Sequence, residues 1–282
     1  VSHSPIQEIV GVFGQPVAGN PTQYIVEKAF QRAGLDWRYL TLEVAPENLA
    51  DAVRGARAMG FRGFNCTIPH KVAVLQYLDR TSEAASLMGA VNCVNRVGDE
   101  LVGENTDGKG FIESLRTICD PAGKRIVVLG AGGAARAISV ELGLGGAAEI
   151  TIVNRDPGRG YELVDLITSR VHVASTYAPW PDPYEVPAET DVVINATSIG
   201  LGDADARVPV DFATLSPQMV VADVIFNPAD TRFLREARNR GCRTLDGLGM
   251  LVNQAVIGFK IWTGVQPDAE LMREALEEFL GI

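Results

Sequence analysis

The chain has 282 residues, 46% of them hydrophobic, which is enough to fill the cores of two modest domains. Its 25 basic and 35 acidic residues leave a formal charge of −10 with no basic block, so nucleic acid and anionic membrane are not expected partners. The four cysteines (Cys66, Cys93, Cys119, Cys242) form no C-x-x-C pair, and neither a metal site nor a disulfide framework is expected. Without a charged-then-apolar leader or an apolar run of about 18 residues, the reading is of a cytoplasmic protein.

Taken in chain order, short apolar runs alternate with amphipathic stretches, the pattern of an α/β fold. Ile9–Phe13 reads as a strand, Gln23–Arg32 as a helix stopped at Gly34, and Trp37–Leu42 as a second strand. A helix over Pro46–Met59 and a short strand over Phe64–Thr67 follow. Beyond residue 110 come strands at Arg125–Leu129, Glu149–Asn154, Asp191–Asn195 and Val220–Asp223, with a helix from Ala134 to Leu142 after the first. Ala178–Pro187 carries Pro179, Pro181, Pro183 and Pro187 and is expected to be irregular. Met250–Thr263 and Ala269–Gly281 close the chain as two helices.

The run Gly130-Ala131-Gly132-Gly133-Ala134-Ala135 follows a strand and opens a helix. Glycine at its first and third positions permits a tight turn and close approach to a pyrophosphate, and Ala135 lets strand and helix pack closely. The helix start offers N–H groups to the phosphates. A dinucleotide is therefore the expected cofactor. The next turn, Asn154-Arg155-Asp156, places a carboxylate about 20 residues further on, where it would accept ribose hydroxyls and repel a 2′-phosphate. Arg155 and Arg159 oppose that, since guanidinium pairs with phosphate. The balance favours NAD over NADP. Asp156 also reads as the N-cap of the following helix.

A dehydrogenase needs a titratable group beside the reacting alcohol. Lys71, in Asn65-Cys66-Thr67-Ile68-Pro69-His70-Lys71, and Asp107, in Gly103-Glu104-Asn105-Thr106-Asp107-Gly108, are the candidates, both placed in polar stretches outside regular structure. His70, beside a proline, reads as structural, as does Cys66 between apolar neighbours.

The ordered motifs Asn65-x-Thr67-x-Pro69-His70-Lys71, Gly89-Ala90-Val91-Asn92, Asn105-Thr106-Asp107-Gly108 and Gly247-Leu248-Gly249-Met250-Leu251-Val252-x-Gln254 resemble those of the shikimate dehydrogenase family. The Gly130 turn and Asn195-Ala196-Thr197-Ser198 lie between the last two, and the resemblance covers nearly the whole chain. It implies an NAD(P)-dependent dehydrogenase acting reversibly on a ring alcohol of shikimate, quinate or an analogue. Lys71 and Asp107 would be its catalytic pair; Asn65, Thr67, Asn92, Asp107 and Gln254 would hold the ring hydroxyls. Thr197, Gly247 and Met250 would border the cofactor. The implied layout is an α/β substrate domain over 1–108, completed by 247–282, and a Rossmann domain over 109–246, with the active site in the cleft between them. The expected partner is a small hydroxylated cyclic carboxylate, bound by a monomer or homodimer.

Two positions depart from the family pattern. A Ser-x-Ser pair that takes the substrate carboxylate is replaced by Asn20-Pro21-Thr22, and a tyrosine by Phe226. The expectation is an unchanged reaction class with a shifted preference at the acid end of the substrate. A cofactor-binding sensor without turnover, or a dehydrogenase of the methylenetetrahydrofolate type, are the other readings open on this plan.

Overall fold

The computed structural model describes residues 6–282, which divide into two units. One holds the chain up to Thr106 and again from Gln254; the other runs from Asp107 to Asn253.

The first unit contains β1 (Glu8–Gly14), α1 (Thr22–Ala33), β2 (Trp37–Glu43), α2 (Leu49–Ala58), β3 (Gly63–Cys66), the one-turn α3 (His70–Ala73), β4 (Arg80–Thr81), α4 (Glu83–Met88), β5 (Cys93–Val97) and β6 (Glu100–Glu104). Its sheet has the order β2-β1-β3-β5-β6-β4. β1 runs parallel to β2 and β3, while β5 is antiparallel to β3 and β6. Periodicity explains α1: Ile25, Val26, Ala29 and Phe30 fall on one face and are buried, and Gly34 ends it in the left-handed conformation. Ile25, Val26 and Phe30 each contribute about 1.5–3 kcal/mol by leaving water. Phe13 and Phe64 stack at 4.6 Å between ring centroids at the heart of this core.

The second unit holds α5 (Thr106–Arg116, entering from the first), β7 (Arg125–Leu129), α6 (Gly133–Leu144), β8 (Glu149–Asn154), α7 (Pro157–Leu166), β9 (Ala174–Pro179), β10 (Val192–Asn195), β11 (Val220–Asp223), α8 (Arg232–Asn239) and β12 (Arg243–Leu245). α9 (Leu248–Thr263) begins here and ends in the first unit, which α10 (Ala269–Leu280) completes. All six strands are parallel, in the order β12-β11-β10-β7-β8-β9. Counted from β7, that is the doubly wound order 3-2-1-4-5-6, whose ligand crevice lies where the order reverses, beyond the C-terminal ends of β7 and β10.

Several expected elements need correction. Ala178 and Pro179 are not irregular but end β9; because β9 is an edge strand, Pro179 withholds no ladder hydrogen bond that a neighbour requires. The helix expected from Pro46 starts as one 3₁₀ turn, Pro46–Asn48, before α2. Lys71 and Asp107 do not sit in loops: Lys71 lies in α3 and Asp107 in the first turn of α5. Among the described residues no helix is long and apolar enough to cross a membrane.

Candidate functional site

In the first unit, two of the expected residues, Asn65 and Asn92, are joined through buried polar contacts. Asn65, at the third position of β3, is 7% exposed. Its Oδ1 accepts the Tyr39 hydroxyl at 2.6 Å, and its Nδ2 donates to the Asn92 carbonyl at 2.9 Å. Asn92 in turn accepts the Thr106 N–H at 2.6 Å and donates to the Thr106 hydroxyl at 2.9 Å. The residue next in the chain is Asp107, so Asn92 fixes the backbone from which α5 departs. Thr67 is anchored through its N–H to the Phe13 carbonyl at 3.0 Å, and its own carbonyl accepts the His70 N–H at 2.7 Å.

Lys71 follows on that turn, partly exposed, its carbonyl accepting the Val91 N–H at 2.7 Å. Its ammonium lies within electrostatic reach of Cys66 and favours that thiolate, yet burial dominates and pushes the Cys66 thiol up to about 12. Cys66 is therefore an inert core thiol. His70 is buried with Nε2 2.7 Å from the Val44 carbonyl, a structural role. Gln254 is buried in α9. Thr22 is buried at the start of α1, where its N–H donates to Asn20 Oδ1 at 2.9 Å. Asn20 lines a hollow of about 420 Å³ with Gln23, Tyr24, Lys28, Thr41 and Phe279.

The second unit presents a cleft of about 460 Å³ along the reversal of its sheet. Gly130, Ala131, Gly132, Gly133 and Ala134 form one wall with Asn154 and Arg155; Ala196, Thr197, Ser198 and Phe226 are among those forming the other. Gly130 has φ +108°, and a Cβ there would lie 2.9 Å from Thr197 Cγ2, so glycine is demanded at this point. At Gly132 and Gly133 nothing lies within 4 Å of a Cβ position, and no side chain caps α6. Open space in front of uncapped N–H groups suits a pyrophosphate. Ala135 is fully buried behind the turn. These residues fit a dinucleotide.

At the second turn, Asp156 is the N-cap of α7: Oδ1 accepts the Gly158 and Arg159 N–H groups at 2.9 and 3.3 Å. Its other oxygen stands 3.7 Å from Arg159 Nε. The Arg155 guanidinium sits 6.0 Å from the Trp180 ring centroid. Gly247 opens α9 with its N–H on the Ile225 carbonyl at 3.1 Å, and a Cβ there would come within 2.5 Å of that oxygen. Met250 is partly exposed one turn on.

Three family models match the chain in order. They are the shikimate dehydrogenase substrate binding domain over residues 12–94, shikimate / quinate 5-dehydrogenase over 114–201, and the shikimate 5′-dehydrogenase C-terminal domain over 247–277. The shikimate dehydrogenase (NADP(+)) of Geobacter metallireducens is 45% identical over 271 residues, 94% of each chain. The chain belongs to the shikimate/quinate dehydrogenase family. Among solved structures, the ligand-free 5-ketofructose reductase of Gluconobacter sp. strain CHM43 has a TM-score of 0.96 at 53% identity, covering 98% of this chain and 99% of its own. The shikimate 5-dehydrogenase of Listeria monocytogenes, in complex with shikimate and NAD, has a TM-score of 0.91 at 33% identity, covering 98% of each chain.

As a family member the chain is an NAD(P)-dependent oxidoreductase with a substrate domain, a Rossmann-like domain and C-terminal helices. The cleft brings Gly130–Ala134, Asn154, Arg155 and Thr197 together. It also includes Phe226, expected on the substrate side; Asp156, Arg159, Gly247 and Met250 are outside its lining. Two contributors went unread. Tyr39, the partner of Asn65, has no motif of its own and looks like any strand tyrosine. Trp180 lines the cleft from the proline-rich run, where it is held by donating from Nε1 to the Pro209 carbonyl at 2.9 Å. A lone tryptophan among prolines was the available signal.

Proposed function

We propose that this enzyme reduces a neutral polyhydroxylated ketone, of which 5-ketofructose is the model, and runs in reverse on the corresponding alcohol. The observation that carries the reading is the whole-length likeness, at 53% identity, to a 5-ketofructose reductase. The residues expected at the acid end of a shikimate-like substrate support it. Phe226 has no hydroxyl to give, and Asn20, whose carbonyl oxygen accepts the Thr22 N–H, has only its amide N–H groups to offer a carboxylate. A missing hydrogen bond to a carboxylate costs about 1.5–3 kcal/mol, roughly tenfold to a hundredfold in binding, whereas a neutral ketone loses nothing there. Asn65, Thr67, Asn92 and Gln254 are meanwhile all present, amide and hydroxyl groups of the kind that exchange hydrogen bonds with a polyol.

The division of labour is a substrate domain over 1–108, completed by 247–282, and a dinucleotide domain over 109–246. The Gly130–Ala135 turn, Asn154, Arg155 and Thr197, with Gly247 and Met250 beside them, would hold the dinucleotide, which would supply or take the hydride. Lys71 donates the proton to the oxygen that becomes a hydroxyl and takes it back on oxidation. Asp107 is its partner in this reading, relaying a proton from solvent to restore the ammonium after each reduction.

NAD is the preferred cofactor in this reading, because the Asp156 carboxylate is pinned at the second turn by two backbone N–H groups and meets a 2′-phosphate with like charge. Arg155 and Arg159, both exposed, favour the opposite choice.

Steady-state rates on 5-ketofructose, fructose, shikimate and quinate, each with both cofactors, test the assignment. The expected result is a kcat/KM for 5-ketofructose at least ~100-fold above that for shikimate oxidation, the larger of the hydrogen-bond penalties above. Selective, efficient turnover of shikimate would defeat it. That second reading has its own support in the 45% identity to a shikimate dehydrogenase and in the hydroxyl retained at Thr22.

A further inference from the structure

Beneath the cleft of the second unit lies a buried polar hub centred on a carboxylate that neither the motifs nor the proton chemistry uses. Asp223, the last residue of β11, is fully buried. Its Oδ1 accepts Asn195 Nδ2 at 2.9 Å and the Ile225 N–H at 3.1 Å, and its Oδ2 accepts the Thr231 hydroxyl at 2.7 Å. Asn195, the last residue of β10, extends the network: its Oδ1 accepts the Thr197 hydroxyl at 2.7 Å, and its Nδ2 also reaches the Ile199 carbonyl at 3.1 Å. Thr231 is the N-cap of α8. One carboxylate thus ties the loop after β10, the loop after β11 and the start of α8 to each other.

Those two loops supply Ala196, Thr197, Ser198, Val224, Ile225 and Phe226, the cleft wall that faces the glycine turn. We propose that Asp223 is a positioning residue for the dinucleotide: its carboxylate locks the two loops of that wall in register, so that cofactor affinity depends on a residue that does not itself line the cleft.

An acceptor-only group is what the site calls for, because only donors converge on it. The groups that hold it, Asn195 from β10, Val224 and Ile225 from the following loop and Thr231 from α8, are all neutral, and β12 places Leu245 beside the preceding Ala222. Burial with no compensating cation pushes the Asp223 carboxyl up to about 6, against the pull of those hydrogen bonds. When protonated, it turns one oxygen into a donor facing the Thr231 hydroxyl, and the lock loosens. A group kept in a costly ionised state beside a ligand cleft is more readily explained by function than by stability.

The test is binding rather than turnover. Titration of NADH and NADPH, read by quenching of tryptophan fluorescence (Trp180 lines the cleft), is compared for wild type, Asp223→Asn, Thr231→Val and Thr231→Ser. Asp223→Asn and Thr231→Val are expected to weaken both cofactors by roughly tenfold, the effect of one hydrogen bond to a charged group, and Thr231→Ser to bind as wild type. Wild-type affinity is expected to fall as the pH drops through about 6 and that of Asp223→Asn to stay flat. Unchanged affinity in a folded Asp223→Asn would overturn the proposal. Should that variant not fold, a wild-type affinity that is constant from about pH 8 to pH 5 would overturn it equally, since the linkage of a group titrating near 6 cannot be silent there.

Discussion

The Tyr39 hydroxyl donates to Asn65 Oδ1 at 2.6 Å, and both side chains are buried. That bond decides which way the Asn65 amide faces: oxygen to Tyr39, nitrogen to the Asn92 carbonyl. One lone pair and one N–H then remain for a ligand. Tyr39→Phe removes the donor and leaves a buried oxygen unpaired, at a cost of about 1–3 kcal/mol. The expected outcome is a Tm lower by a few degrees and a ketone KM raised roughly tenfold, with cofactor affinity unchanged. Thermal unfolding beside steady-state kinetics checks it. A wild-type KM would show that Asn65 does not touch the substrate.

Lys71→Ala and Asp107→Asn test the proton assignment. Lys71 is partly exposed on a single turn of helix, so its truncation leaves the core intact. Turnover should fall about 10²–10⁴-fold in each variant, the range of general acid–base catalysis, while tryptophan quenching by NADH stays as in wild type. Turnover retained by Lys71→Ala would mean that the proton comes from another group.

Where the sequence was legible, short contiguous runs carried the meaning. The Gly130 turn, the Asn65–Lys71 run and the parallel-strand segments could be read because the residues that act together are neighbours in the chain. Partnerships between distant residues could not be. Nothing local to Tyr39 points to Asn65, and nothing in Asp223 points to Asn195 and Thr231. Around Asp107 the polar, glycine-rich run Thr-Asp-Gly-Lys-Gly has poor helix propensity, and a loop is the local expectation. Packing overrides that preference: a Cβ at Gly108 would lie 2.5 Å from the Ala137 carbonyl, so glycine is what lets α5 meet α6. β9 carries no clear strand signal because none of its six residues is buried and it ends on a proline.

The second turn offers a separation of two jobs in one side chain. Asp156 caps α7 and, in the proposed reading, repels a 2′-phosphate. Asp156→Thr keeps a capping oxygen and removes the charge, so its Tm should match wild type while the NADP to NAD ratio of kcat/KM rises roughly tenfold. Asp156→Ala should shift the ratio likewise and lose about 1 kcal/mol of stability with the cap. A ratio that does not move in Asp156→Thr would place the carboxylate away from the ribose.

Asp223 also predicts how stability depends on pH. Its carboxyl holds a proton more tightly in the folded chain, titrating at about 6 against the ordinary 3.8. Between those values the folded state carries more protons than the unfolded one, so stability declines as the pH rises through the window. Above about 6 the full penalty is in place, on the order of 3 kcal/mol. Asp223→Asn cannot ionise. Relative to wild type it should gain stability steadily as the pH rises through that window and level off above it, even as it binds cofactor less well. Denaturant unfolding of both proteins across the window checks this; a constant difference between them would mean that Asp223 does not titrate there.

Two glycines of one turn should fail in different ways. Gly130 has φ +108°, and a Cβ there meets Thr197 Cγ2 at 2.9 Å and the Ala196 carbonyl oxygen at 3.0 Å. Gly130→Ala must therefore strain the backbone and push against the β10 loop, at roughly 1–3 kcal/mol each for the strain and the overpacking. Gly132 has φ −86°, which any residue adopts, and nothing within 4 Å of a Cβ position. Gly132→Ala should fold with a wild-type Tm, yet its methyl group occupies the space where a pyrophosphate must approach the backbone. The expected loss is in cofactor affinity alone, roughly tenfold or more for a contact of phosphate with backbone N–H. Measuring Tm and NADH affinity for both variants separates the two effects. A Gly132→Ala protein that binds NADH as tightly as wild type would show that the pyrophosphate does not cross the turn at this residue.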